Sequence, residues 1–320
     1  YSMKQLFLIA LAIASVVAAA LLVGSIHGKA LSVLESKTFE ADLDRDSILR
    51  VQDIAYGDHA AQTYDVYYRE EDQDAPVVFL VHGGSKELGG KYEMHRRIPM
   101  YLELGFTVVN TNFRYANDGF EYDLACSLAT FKSEAGEYGA SSESFMLHGY
   151  SLGGSISSRY AYDSTKDWLS DCAVKDPAVI AGYYGEATHY GNVIPEGFPV
   201  EFGLLDKEII GPADFLEEAR LTYDDQKGEL EGGVRDGAIN YIDANDPPAL
   251  LIVGSEDPKN DEQRQEDFAE GLRAVGVPSY TLVIEGGDHG LMKRERPEMI
   301  HVIQDYAKSL FGGEDFYYNH

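Results

Sequence analysis

From Ile48 onward, short apolar runs alternate with longer stretches of helical spacing. "TYDVYY" (63–68) alternates residue by residue and predicts an early strand. "APVVFLVHGG", "FTVVNTNFRYA", "SFMLHGYS", "PAVIAGYYG", "PALLIVGSEDP" and "SYTLVIEGG" are continuous apolar runs that end in turn residues, the pattern of strands buried on both faces. Between them, helices are predicted over Tyr92 to Leu104, over "FEYDLACSLATFKSEAGEYG", over "SLGGSISSRYAY", and from Pro297 to Phe311. Asn260 to Val275 reads as an amphipathic helix, with Asn260 as N-cap, Gln263 three residues on, and Phe268, Leu272 and Val275 on its inner face. Strands alternating with helices predict an α/β fold, a doubly wound, mostly parallel sheet covered on both faces. The rhythm breaks between Glu186 and Asn245, a segment too long for a plain connection and expected to be a lid-like insertion at 186–245.

The N-terminus has another pattern. From Leu6 to Ile26 it is apolar, close to the roughly 20 residues needed to cross a bilayer. Residues 1–30 are therefore expected to form a hydrophobic helix, either an export signal or a retained anchor, with Gly28-Lys29-Ala30 passing as a cleavage site. A pilin-like helix packed against copies of itself in a filament is the alternative. Gln5 stands where type IV pilins usually carry glutamate, and Lys4 fits an apolar core poorly. The helix would bring a membrane or like subunits as partners. Residues 31–47 read as a connector, and 48–320 as one catalytic-sized domain.

Charge narrows the partners. With 26 basic and 54 acidic residues the chain carries a formal net charge of −28, which repels a phosphate backbone and argues against nucleic acid. Cys126 and Cys172 are the two cysteines, and no C-x-x-C occurs, so a zinc knuckle is unsupported. The two could pair in an oxidising compartment or sit as buried small apolar residues, the reading favoured here.

Candidate chemistry gathers at strand ends. Gly149-Tyr150-Ser151-Leu152-Gly153 is a G-x-S-x-G pattern. Alone it is weak, since a chain with 32 glycines yields it readily by chance. Its place, after an apolar strand and before a helix, is what a nucleophile elbow requires. Glycines two before and two after Ser151 permit the tight turn, and the helix start favours a developing anion. His82-Gly83-Gly84 ends another buried strand, so N–H groups of Gly83 or Gly84, with that of Leu152, are candidate oxyanion donors. His82 itself reads as a structural hydrogen-bonder and His148 as a core residue. A serine needs a base and the base a carboxylate. Asp257, with Glu256 as runner-up, ends "LLIVGSEDP"; His289 ends "VIEGGDHGL"; His189 is the rival base. All lie where loops cross the C-terminal edge of the sheet, the edge at which ligands bind.

With these elements in order, the chain resembles the α/β-hydrolase fold family, and more narrowly the secreted esterases related to feruloyl esterases and kynurenine formamidases. The likeness runs from about Ile48 to the C-terminus and includes "VQDIAYGDHAAQTYDVYY", "VFLVHGG", "GFTVVNTNFRYA", the elbow, "NYIDANDPPALLIVGSEDP" and "EGGDHGL". The resemblance implies Ser151 as nucleophile, His289 as base, Asp257 as its orienter, and Gly83, Gly84 and Leu152 as oxyanion donors. It implies an exported enzyme acting on a small-molecule ester, with no metal or organic cofactor. Two departures stand out. Ser85 and Lys86 follow His-Gly-Gly where the family often has glycine or alanine and then tryptophan. Pro258, Lys259 and Asn260 follow the acidic residue where the family often has apolar residues and proline.

Overall fold

The apolar runs do pair into one sheet. The computed structural model describes residues 48–84, 89–114, 120–190, 237–260, 262–291 and 297–312. The N-terminal apolar helix, with the anchor and filament readings, lies outside the described residues, as do Ser85, Lys86 and most of the expected insertion. The described strands are β1 (Leu49–Ala55), β2 (Thr63–Tyr68), β3 (Ala75–Val81), β4 (Thr107–Thr111), β5 (Ala140–Tyr150), β6 (Ile180–Glu186), β7 (Ala249–Gly254) and β8 (Ser279–Ile284). They form a sheet of order β1-β2-β4-β3-β5-β6-β7-β8. From β4 to β8 the neighbours are parallel, and β2 runs antiparallel to β4. This is the α/β-hydrolase fold.

Among the described residues, five α-helices accompany the strands: α1 (Ile98–Leu102), α2 (Phe120–Glu134), α3 (Leu152–Tyr162), α4 (Glu262–Ala274) and α5 (Pro297–Gly312). Val77 through Val81 of β3 are entirely buried, as a central parallel strand covered on both faces must be. The single helix expected over Tyr92 to Leu104 is instead a 3-10 stretch, Lys91–Arg97, followed by α1. Pro99 sits in the first turn of α1, where its missing N–H costs nothing, so the helix restarts there. Strand β1 was not expected. Its residues are almost all exposed, so neither alternation nor an apolar run marks an edge strand of this kind. In α4, Phe268 and Leu272 are buried as expected, each stabilising by about 1.5–3 kcal/mol. Val275 is not on the inner face: it lies beyond the last helical residue and is 38% exposed, and Ala269 packs inward instead. The expected capping pair is absent too, because Gln263 Nε2 donates outward to Asp267 Oδ1 at 2.8 Å.

The cysteines are bonded, against the favoured reading. Cys126 of α2 joins Cys172, with Cα atoms 5.0 Å apart. The bond ties α2 to the connection between α3 and β6, where Trp168 also packs edge-on against Tyr122 at 5.2 Å.

Beneath the C-terminal ends of β5 and β6 lies a buried polar cluster. Glu186 Oε2 accepts from Arg97 Nε at 2.8 Å, and Oε1 pairs with the Arg97 Nη2. His148 Nε2 lies 3.2 Å from the same carboxylate, while Tyr101 Oη meets His148 Nδ1 at 3.0 Å. Burial by itself would raise the Glu186 carboxyl, but the Arg97 charge and hydrogen bonds from His148 and Arg97 override it and bring its pKa to about 2. Burial lowers the pKa of His148 to about 4. His82, stacked on Phe113 with ring centres 4.3 Å apart, is lowered by burial to about 4 as well.

Two predictions follow from this packing. The disulfide spans a separation of 46 residues, and closing such a loop restricts the unfolded chain by about 4 kcal/mol. Cys126→Ser/Cys172→Ser is expected to lose about 3–4 kcal/mol in denaturant titration; an unchanged midpoint would deny the bond a stabilising role. The buried histidines set a pH response. An unfolded histidine takes a proton near pH 6.5, whereas His82 and His148 stay neutral to about pH 4. The unfolded state then binds more protons, so stability falls as pH drops across that window. Glu186 continues the loss towards its own pKa of about 2. His148→Gln is expected to reduce the slope of unfolding free energy between pH 6.5 and 4, and an unaltered slope would remove His148 as its source.

Candidate active site

Ser151 stands between the last residue of β5 and the first of α3, with φ 51° and ψ −119°. A non-glycine residue reaches that conformation only under strain of roughly 1–3 kcal/mol, so its surroundings must impose it. They do so by close approach. A Cβ on Gly149 would fall 2.4 Å from Gly154 Cα, and one on Gly153 would fall 2.2 Å from the Val81 carbonyl oxygen. The turn is then tied down: Ser151 N–H donates to the Glu186 carbonyl at 2.9 Å, and the N–H of Gly154 donates to the Ser151 carbonyl at 3.0 Å.

Two loops bring the partners. His289 follows β8, and its Nε2 lies 2.9 Å from Ser151 Oγ. Asp257 follows β7, and its Oδ2 lies 2.9 Å from His289 Nδ1. The Asp257 side chain is fully buried and that of His289 is 17% exposed. Burial alone would raise the Asp257 carboxyl. Hydrogen bonds from His289, from the Lys259 backbone and from Asn260 outweigh it and hold the pKa below the usual aspartate value. An ionised Asp257 accepts from Nδ1–H, which leaves Nε2 with a lone pair directed at the serine hydroxyl.

Asn260, expected only to cap α4, serves this carboxylate. Its Nδ2 donates to the Ala187 carbonyl at 2.7 Å and to Asp257 Oδ2 at 3.3 Å. Asp257 Oδ1 accepts the N–H groups of Lys259 and Asn260 at 2.8 and 3.2 Å. The departure from the family pattern after Asp257 therefore supplies donors to the carboxylate and a strap to the end of β6. A polar residue three positions past a candidate acid was the signal for this role, but the sequence could not show what it would face.

Two of the oxyanion candidates, Gly83 and Leu152, lie beside Ser151. Leu152 opens α3, so its N–H has no partner within the helix. A Cβ on Gly83 would lie 3.1 Å from Ser151 Cβ, which places that backbone against the Ser151 side chain. Gly84 follows it as the last described residue before position 89. The other candidates stand apart. Glu256 is exposed and contributes its backbone N–H to the Gly287 carbonyl at 2.8 Å. His189 has its ring 3.4 Å from Arg264 Nη1, and its carbonyl accepts from Ser155 Oγ. His82 meets the Gly83 carbonyl at 2.6 Å, a structural hydrogen bond. Among the described residues, no group of three or more His, Cys, Asp or Glu is gathered to hold a metal ion.

Known proteins resemble this chain in sequence and in fold. Esterase LipC of Mycobacterium tuberculosis (strain ATCC 25618 / H37Rv) is 25% identical over 254 residues, 74% of this chain; the chain spans 59% of that relative's length. A bifunctional GH43-CE protein of Bacteroides eggerthii is similar in structure with TM-score 0.63 at 20% identity, over 82% of this chain and 35% of its own. An inhibited Esterase B from Lactobacillus rhamnosis gives TM-score 0.61 at 16% identity, over 89% of this chain and 96% of its own. At such identities the two structures share the fold. The family model described as BD-FAE matches residues 64–272, from β2 through most of α4, taking in Ser151 and Asp257. That is more than half of the 320 residues, and the chain belongs to the BD-FAE family, an esterase family of the α/β-hydrolase fold.

Proposed function

We propose that the chain is a serine hydrolase that cleaves carboxylic esters through an acyl-enzyme, and that it is exported. The observation that carries the first part is the unbroken run of contacts from Ser151 Oγ to His289 to Asp257, at 2.9 Å each. As Ser151 Oγ attacks the ester carbonyl carbon, His289 Nε2 takes its proton, and Asp257 stabilises the imidazolium. The negative charge on the carbonyl oxygen is met by the Leu152 N–H with those of Gly83 and Gly84. Collapse breaks the bond to the alcohol, which leaves with the proton from Nε2. Water then repeats the sequence, with His289 as base, and frees the acid. A Ser-His-Asp triad is chemically competent for amides as well, and the likeness to esterases favours the ester. Export is supported by the Cys126–Cys172 bond, since disulfides persist in oxidising compartments, and by the apolar run from Leu6 to Ile26.

The test is hydrolysis of a short-chain nitrophenyl ester by the purified chain, with labelling by a fluorophosphonate. The parent is expected to turn over and to be labelled on Ser151; Ser151→Ala is expected to do neither. A well-folded parent that is inactive and unlabelled would sink the reading. Asp257→Asn is expected to cut kcat by about 10⁴-fold, because an amide donor at this position favours the wrong histidine tautomer. Asn260→Leu removes a donor to a charged acceptor, and a loss of about tenfold in kcat is expected with the chain still folded. Full activity would reduce Asn260 to a structural strap. Export is checked by trapping thiols in each cell fraction: the bonded form should be found outside the cytoplasm, and two free thiols in the cytoplasm would count against it.

A further inference from the structure

The mechanism above leaves the buried Arg97–Glu186 pair without a task. Removing two charges from water is costly, and an apolar pair of similar volume is often no less stable. Here the pair is fully engaged. Besides the two contacts to Glu186, Arg97 Nη1 donates to the Glu93 carbonyl at 2.8 Å, and Tyr184 Oη donates to Glu186 Oε2 at 3.4 Å. Glu186 is the cross-strand partner of Tyr150, the residue immediately before Ser151.

Tyr150 is the point of contact. The Arg97 guanidinium carbon sits 4.7 Å from the centre of its ring. The backbone of Gly83 is so near that a Cβ there would fall 2.9 Å from Tyr150 Cδ1. The phenol then donates to the His289 carbonyl oxygen at 3.2 Å, and the two rings lie 5.5 Å apart. A closed circuit results: Ser151 N–H to the Glu186 carbonyl, Glu186 side chain to Arg97, Arg97 on Tyr150, Tyr150 to His289, and His289 to Ser151 Oγ.

We infer that Arg97, seated on Glu186, is a positioning residue that fixes the Tyr150 ring so that its hydroxyl sets the place of the His289 loop, a second tie between nucleophile and base that bypasses Asp257. The inference rests on the proposed serine mechanism. Arg97 touches no reacting atom and acts only through Tyr150. Two side chains that act through one path cannot each lose it twice, so their effects must fail to add.

The experiment measures kcat and KM on a nitrophenyl ester, per active site titrated with fluorophosphonate, for Tyr150→Phe, Arg97→Met and the double variant. Tyr150→Phe keeps the ring and removes one hydrogen bond, and is expected to lower kcat about fivefold with KM little changed. Arg97→Met is expected to lower it comparably, and the double variant to be no worse than the poorer single. Arg97→Lys, which keeps a cation near the ring, is expected to recover part of the loss. A merely structural pair would change the titrated fraction or the melting temperature but not kcat per site. Unchanged kcat in Tyr150→Phe, or losses that multiply in the double variant, would overturn the inference. Should Arg97→Met fail to fold, Arg97→Met/Glu186→Met removes both charges together, and its comparison with and without Tyr150→Phe gives the same coupling. A parent that labels and turns over while Tyr150→Phe is unaffected defeats this inference alone; a parent that does neither defeats the serine mechanism first.

Discussion

A carbonyl oxygen of β3 comes so close to the start of α3 that no side chain fits between them. The Val81 oxygen would lie 2.2 Å from a Cβ at position 153. That contact brings the first turn of α3 against the end of β3, and with it Ser151 against the Gly83 backbone. The φ of 51° at Ser151 is the local consequence. It persists because the sheet and helix surrounding it over-determine the turn.

Around that fixed point the structure arranges two loops that could otherwise adopt many conformations. The Asp257 loop is held by its own backbone N–H groups and by Asn260, which reaches across to Ala187. The His289 loop is held by Asp257 on one side and by the Tyr150 hydroxyl on the other. Opposite demands meet here. Asp257 must be buried to be directional, yet remain charged, and donors from three residues reconcile the two. His289 must reach Ser151 while keeping some exposure to solvent, and it is the partly exposed member of the pair.

The same logic recurs one layer deeper, where Glu186 stays ionised although no water reaches it. Its main chain fastens Ser151, and its side chain fastens Arg97. One residue thus links the geometry of the elbow to the charge beneath it. Farther from the site, the Cys126–Cys172 bond fastens α2 to the segment that leads into β6, the strand that ends in Glu186.

Which residues would carry chemistry was legible because catalytic demands are local in sequence. A serine elbow needs its glycines at fixed offsets, and strand ends announce themselves by apolar runs that stop at turn residues; Ser151, Asp257 and His289 were singled out this way, and the fold brings them within hydrogen-bond distance of one another. The parallel sheet was legible for the same reason, since strands buried on both faces read as near-continuous apolar runs. Strand β1 was not, because an exposed edge needs no apolar pattern. Asn260 as a donor to Asp257, the pairing of Cys126 with Cys172, the outward turn of Val275 and the circuit through Arg97 and Tyr150 were decided only by tertiary structure. The disulfide, the circuit and the strap from Asn260 each depend on an element lying across from a residue 46, 53 or 73 positions away, as with Cys172 from Cys126, Tyr150 from Arg97, and Ala187 from Asn260. Spacing along a chain determines which face a side chain takes, but its partner is chosen by packing.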